Sequence, residues 1–484
     1  MTDLRRTMLY GLLMSVAGQA LAQELYIYPA KGQSAEQQDL YRRAADLYLG
    51  LWREFGEKRI DAGQKPSYPK MDEVLHNLAR TYQAAHLLGK AMQVRHLLLQ
   101  EKNGMHETEL GKLALYDLAR NYQSIAVYDR AAEYYERYAR ATHFRGEHAD
   151  VALSDAVVLR LGLGQEDQAL RTAQTFNQHL GAKHPAQSAQ IAFAVAAHHA
   201  ERGDHAAVRK ALGSSLRLID RSGDFDIQVQ AHALLGRAYA ELGRGGQAAQ
   251  EYGRVRKLWA DPAAAEARFE SLEPDPRVRQ RRIGRALDAV GEALFFFAER
   301  DREAVARVRF PEYRGPGTRA AVSDHIARKV AAWIKAKRPL IERATAAYRR
   351  IVDLRPAPPP RWVIAAGARV GTMWGTFVQE FRDAPIPDSI RNDAELRTAY
   401  YHEIDRASEP QKRVARDAFE TCLGYSVTYQ YFDEHSRSCE RWLADTYKSE
   451  YHLLDEFHGR PNRGNAARLE HAPALTIGGE VVRG

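Results

Sequence analysis

The chain has 484 residues, 27% of them charged, 45% hydrophobic and 9% aromatic, a globular balance that excludes a wholly disordered polymer. Lys plus Arg number 70 against 62 Asp plus Glu, a net charge of +8. With no Lys/Arg run of the kind that tracks phosphates, nucleic acid is not an expected partner. Two cysteines are too few for a disulfide scaffold or a four-thiolate zinc site, and no apolar stretch is long enough to predict a membrane span.

Arg5 and Arg6 precede an apolar run from Met8 to Ala17, and Ala20-Leu21-Ala22 supplies the small residues of a cleavage site. This predicts a signal peptide over 1–22 and a periplasmic protein. No Cys stands at the cleavage point, so a lipid anchor is not indicated. An extended segment follows over 23–33. Ser34 and Gln37 have capping-box spacing, opening a helix with Leu40, Ala44, Leu47, Tyr48, Leu51 and Phe55 at helical intervals. Lys65-Pro66-Ser67-Tyr68-Pro69 interrupts it.

From Met71 a pattern recurs. Leu78-Ala79-Arg80-Thr81-Tyr82 is followed nine residues after Tyr82 by Ala91. Leu118-Ala119-Arg120-Asn121-Tyr122 is followed in the same way by Ala131, and Leu235-Gly236-Arg237-Ala238-Tyr239 by Ala248. Ala169 and Val208 hold the equivalent place between them. The period of 38–40 residues is that of a stacked repeat array. Small side chains are expected to meet across each helical hairpin while large ones fill the space beside them, and stacking buries the apolar face each hairpin leaves. Gly203-Asp204 and Gly243 stand at turns, where a helix end takes a left-handed residue.

These residues resemble the tetratricopeptide repeat. Leu235, Gly236, Tyr239, Gly243, Ala248, Tyr252 and Val255 match its pattern well, and Leu115, Leu118, Ala119, Tyr122, Tyr128, Ala131 and Tyr135 nearly as well. Arg95 replaces the expected aromatic in the first unit. The resemblance implies an all-α fold over 34–262, a right-handed α-solenoid of helical hairpins. It also implies a concave groove lined by the first helix of each hairpin, which binds protein partners.

Helical patterning continues over 263–355, with one helix from Ile283 to Arg302 and another from Ala320 to about Leu354, broken or kinked near Pro339. Pro356, Pro358, Pro359 and Pro360 form a stiff connector into a C-terminal helical region, 356–458. There Trp362 to Phe381 reads as an apolar helix whose Gly367, Gly371 and Gly375 make a smooth face for close helix contact. A helix from Glu409 to about Tyr431 turns near Asp433 into another carrying Cys439. Residues 459–484 read as a flexible tail. Pro359 to Ala366, Ala384 to Pro387 and Tyr429 to Glu434 resemble the C-terminal regions of large repeat proteins of myxobacteria, some of which belong to the gliding-motility envelope machinery.

No His-Glu-x-x-His, Gly-x-Ser-x-Gly or phosphate-cradling motif occurs, so no catalytic residue, metal or cofactor is assigned. Cys422 and Cys439 are expected on facing helices, where an oxidising periplasm would join them; two buried thiols are the alternative. A metal shared by Cys422, His435 and Cys439 would lack a fourth ligand. A lytic transglycosylase would need an isolated Glu acid in an apolar pocket, and the Glu-Ser that opens such domains occurs here as Glu270-Ser271, in a loop.

The groove carries the remaining expectation. Arg80, Arg120 and Arg237 occupy one position in three hairpins, with Gln83 and Gln123 a turn on. Aligned guanidinium groups suit carboxylates, although the Asn residues of the family's carboxylate clamps are absent. The alternative is that these arginines are solvated or paired with acids of neighbouring helices. The sequence thus predicts a non-catalytic envelope scaffold whose partners are other envelope proteins or their acidic segments, in a gliding-motility or envelope-assembly complex; an adaptor in a peptidoglycan or polysaccharide assembly complex is the second reading.

Overall fold

The computed structural model describes residues 35–453 together with 476–477 and 480–481. The expected leader, the 23–33 segment, the Ser34 cap and nearly all of the 459–484 tail lie outside them. The described residues are helical throughout, apart from connectors and a two-residue antiparallel ladder, Thr476–Ile477 with Glu480–Val481. Two compact units divide the chain: Met1–Phe297 with Leu354–Ala357, and Ala298–Asp353 with Pro358–Gly484.

The first unit opens with α1 (Ala35–Trp52), which runs through a π turn, Arg53–Glu57, into α2 (Lys58–Asp61). A Cβ on Gly56 would run into the Trp52 ring, so the indole folds over a position only glycine leaves open. The face of α1 that buries is Ala45 and Trp52, with Tyr48 and Leu49 partly buried; Leu40, Leu47, Leu51 and Phe55 stay largely exposed. Helical spacing finds an apolar stripe but does not tell which neighbour it meets, and among the described residues α1 has one on a single side.

Five helical hairpins follow: α3 (Met71–Ala84) with α4 (Leu88–Leu99), α5 (Glu109–Ser124) with α6 (Tyr128–Ala141), α7 (Ala149–Gly162) with α8 (Glu166–His179), α9 (Pro185–Glu201) with α10 (His205–Ser222), and α11 (Phe225–Glu241) with α12 (Gly245–Leu258). Each helix packs on the next, and the first helices of successive hairpins also touch, as α3 with α5 and α7 with α9. This neighbour-to-neighbour packing makes the unit an all-α, solenoid-like fold. Ala91, Ala131, Ala169, Val208 and Ala248, one per hairpin, are all fully buried. The side chain closest to Gly236, however, is not Ala248. A Cβ on Gly236 would lie 3.1 Å from the Tyr252 ring, so the glycine admits the aromatic one turn further on.

The five hairpin turns share one backbone solution. His86, Ala126, Gly164, Gly203 and Gly243 have φ of +60°, +61°, +73°, +73° and +71°. In each turn the next residue's N–H reaches back five positions: Leu87 to Tyr82 O, Val127 to Tyr122 O, Gln165 to Arg160 O, Asp204 to His199 O and Arg244 to Tyr239 O, at 2.8–3.0 Å. This is the Schellman closure of a helix C-terminus, which favours glycine. Ala126 bears a left-handed backbone with a Cβ, so Ala126→Gly is expected to stabilise the first unit by about 0.5–1 kcal/mol. Gly243→Ala, with nothing within 4 Å of the added Cβ, is expected to lose a similar amount. Urea unfolding of both variants checks the pair, and shifts in the same direction would contradict the assignment.

Asp261 caps α13 (Pro262–Leu272), its carboxylate accepting from Ala264 N at 3.1 Å. The helix expected from Ile283 is longer, α14 (Pro276–Arg307). It starts where Asp275 accepts from Arg277 N at 2.8 Å and Pro276 occupies the first turn, a favoured start because proline has no N–H to satisfy. Phe225, Trp259 and Phe269 pack together with Leu287 and Val290 of α14 in the core here.

In the second unit, α15 (Arg319–His325) passes through a π turn, Ile326–Val330, into α16 (Ala331–Val352). The helix is continuous through Pro339, which lies inside it. Then come α17 (Pro360–Arg382), α18 (Asp388–Arg391), α19 (Ala394–Tyr429) and α20 (Glu434–Thr446). The helix expected to begin at Glu409 begins at Ala394 instead. Asp393 caps it, accepting from Glu395 N and Leu396 N at 2.9 and 3.0 Å, and Pro410 sits in its interior. The glycine face of α17 packs closely: added Cβ atoms would stand 2.8 Å from Ala418 O at Gly367, 2.7 Å from the Phe419 ring at Gly371 and 3.1 Å from Trp442 at Gly375.

Candidate functional site

Side chains of the first two hairpins form a polar network. Arg95 occupies the slot that Tyr135 and Tyr252 fill in other hairpins, and it is buried. Its guanidinium donates to Gln83 Oε1 and Asn121 Oδ1, each at 2.8 Å, and to Asp117 Oδ2 at 3.3 Å. Burial pulls its pKa down and the Asp117 charge opposes the shift; three hydrogen-bonded partners make an arginine tolerable there. Tyr135 does the same work with a phenol, donating to Gln123 Oε1 at 2.6 Å. Burial pushes that phenol far above its ordinary range, so it remains a donor. Both predicted groove glutamines are therefore held by their own hairpins.

The three predicted arginines have different fates. Arg80 is exposed and Arg120 half-buried. Arg237 forms a two-pronged ion pair with Glu292 of α14, whose Oε1 lies 2.7 Å from Nε and also accepts from Tyr252 at 2.8 Å. Hydrogen bonding to Glu292 raises the Arg237 pKa, and the pair fastens α11 to α14. Towards the later hairpins the inner column closes. The position of Asp117 is taken by Asp155, Ala194 and Leu234, all buried, and that of Arg120 by buried Val158 in the third hairpin. Burial pushes the Asp155 carboxyl well up, against the Arg120 charge. Of the three arginines only Arg80 is exposed over the whole residue; Arg237 keeps a 41% exposed side chain but is engaged by Glu292.

A groove of about 660 Å³ opens between α1 and α3, walled by Tyr48, Leu51, Phe55, Tyr68, Met71 and Val74 with Lys70, Glu73 and Asn77 at its polar side. Lys70 and Glu73 pair at 2.9 Å. Apolar walls with a few charged groups at the rim suit an amphipathic segment.

No family model matches this chain. No curated protein matches it in sequence either. The site argument therefore rests on the geometry alone.

Cys422 of α19 and Cys439 of α20 form a disulfide, Cα to Cα 6.5 Å. Their sulfurs bind each other, so neither is available as a thiolate metal ligand with His435. His198 Nε2 and His199 Nδ1 lie 3.5 and 3.8 Å from Glu166, and His402 is exposed. Glu270 and Ser271 are on the last turn of α13, not in a loop, and both are exposed; the apolar pocket a glycosidase acid needs is not around Glu270.

One buried constellation escaped the sequence reading. His232 of α11 faces Glu251 Oε2 of α12 at 2.7 Å through Nδ1 and Asp220 Oδ1 of α10 at 2.9 Å through Nε2. With a carboxylate on each ring nitrogen, no nitrogen is left for a substrate, so the group joins three helices. Its members are twelve and nineteen residues from the histidine, beyond the reach of a local motif.

Proposed function

We propose that this chain is a non-catalytic scaffold of the cell envelope, a tetratricopeptide-repeat protein exported by its leader, which holds other proteins against the first helices of its N-terminal hairpins. The observation that carries the reading is the contrast along the stack. Arg80 is exposed on α3 and Arg120 partly exposed on α5, while the equivalent places further along hold buried Asp155, Val158, Ala194 and Leu234, and Arg237 pairs with Glu292. Acidic segments of envelope proteins fit such a surface through charge-assisted hydrogen bonds. The Cys422–Cys439 disulfide agrees with an oxidising compartment. A place in motility or envelope assembly rests on the C-terminal resemblance alone.

Crosslinking mass spectrometry in the native host tests it. Arg80→Glu/Arg120→Glu is expected to weaken capture of at least one partner about tenfold or more. Lys210→Glu, which reverses an exposed charge on α10, is expected to leave every partner in place. An unchanged partner set in the double variant, with its helicity intact, would refute the groove.

A further inference from the structure

The outward face of α1 is apolar. Leu40, Leu47, Leu51 and Phe55 are 63%, 75%, 44% and 44% exposed, and their spacing places them along one side of the helix. Behind Leu51 and Phe55 lies the groove walled by Tyr68 and Met71. A contiguous apolar stripe marks a surface that is covered in the working molecule.

We propose that a second copy of this chain covers it: the Leu40–Phe55 stripe of one protomer packs antiparallel on the same stripe of the other, about a twofold axis near Leu47.

Three observations favour this occupant. The stripe is self-matching, because Leu40 and the Leu51–Phe55 pair lie on opposite sides of Leu47, so antiparallel pairing lays each over the other twice. The charges match as well. Residues 35–61 carry five basic and six acidic side chains, so two such helices meet without the repulsion that a chain of net charge +8 would give elsewhere. Glu36 and Lys58, equally far from Leu47, come opposite each other at both ends. The size suffices: with Tyr41 and Tyr68, the exposed apolar surface is on the order of 500 Å² per copy, or roughly 1,000 Å² for the pair, the lower bound of a specific interface.

The interface is separate from Arg80 and Arg120, so its test does not depend on the partner-binding reading. The purified protein is examined by sedimentation across the micromolar range. It is expected to dimerise, and Leu40→Glu/Leu47→Glu to be monomeric with unchanged helicity and unfolding midpoint. Leu242→Glu, a 39% exposed leucine in the turn between α11 and α12, is expected to dimerise as the parent does. Leu47→Cys adds a readout that survives any instability of the charged variant. The two native cysteines are bonded to each other, so mild oxidation should yield a covalent dimer through position 47 and none through Leu242→Cys. A parent protein monomeric throughout overturns the proposal; this is the result expected if residues 23–34 or another protein fill the groove. So does a dimer that persists in Leu40→Glu/Leu47→Glu, or a Leu47→Cys protein that crosslinks no faster than Leu242→Cys.

Discussion

Arg282→Met is expected to destabilise the first unit by about 3 kcal/mol, within the range for breaking a buried ion pair from one side. Arg282 of α14 is 6% exposed and Asp226 of α11 is 4% exposed. The guanidinium donates to Asp226 Oδ1 at 2.6 Å and Oδ2 at 3.2 Å, and to Asp224 Oδ2 at 2.6 Å. Burial alone would lower the arginine's pKa, but the hydrogen bonds and charges of the two aspartates outweigh it and raise it. Methionine fills similar volume and leaves the Asp226 carboxylate without its counter-charge. Two features keep the loss from the top of the range: Asp226 lies in the first turn of α11, where the helix dipole favours an anion, and the Arg285 charge acts on the same carboxylate. The double variant Arg282→Met/Asp226→Leu is expected to return to within about 1 kcal/mol of the parent, because an apolar replacement of a whole buried pair is often neutral. Hydrogen exchange of the α11 and α14 peptides reads both. A single variant that exchanges like the parent, or a double variant worse than the single, would sink the account.

That pair marks the limit of what local pattern conveys. The repeat was legible because close packing in each hairpin demands a small residue at one recurring place, and Ala91, Ala131, Ala169, Val208 and Ala248 are all buried there. The glycines at 203 and 243 announced their turns. His86 and Ala126 did not, because the stack holds them in the same left-handed backbone without the residue type that would have signalled it. The sequence marked Arg95 as a departure from an aromatic position; only the fold brings Gln83, Asp117 and Asn121 around it. The groove arginines show the same limit. Arg80, Arg120 and Arg237 occupy equivalent positions, but Glu292 is 55 residues from Arg237, and no periodicity within one hairpin predicts that it closes one of the three. Interior Pro339 and Pro410 each forgo one backbone bond, a local cost that long helices packed along their length absorb.

The glycine face of α17 was legible in full, and it carries the second large expectation. Gly371→Ala places a methyl 2.7 Å from three atoms of the Phe419 ring. Phe419 is itself buried and stacked on Trp442 at 4.5 Å between centroids, so the ring has little room to retreat. At Gly367 the obstacle is a backbone oxygen, Ala418 O at 2.8 Å, with Cys422 Cβ at 3.0 Å, and the Cys422–Cys439 bond holds that stretch of α19 to α20. Overpacking of this kind costs about 1–3 kcal/mol, against the ~1 kcal/mol that alanine gains over glycine inside a helix. Both variants are therefore expected to destabilise the second unit by about 1–2 kcal/mol. Gly375→Ala, 3.1 Å from Trp442 Nε1, is expected to be near neutral, since the indole edge needs to give only a few tenths of an ångström. Gly424→Ala on α19 has nothing within 4 Å of the new methyl and is expected to stabilise by about 1 kcal/mol. Urea unfolding of the four variants separates the two causes. Packing orders them 367 and 371 below the parent, 375 level and 424 above it, whereas helix propensity alone would raise all four together.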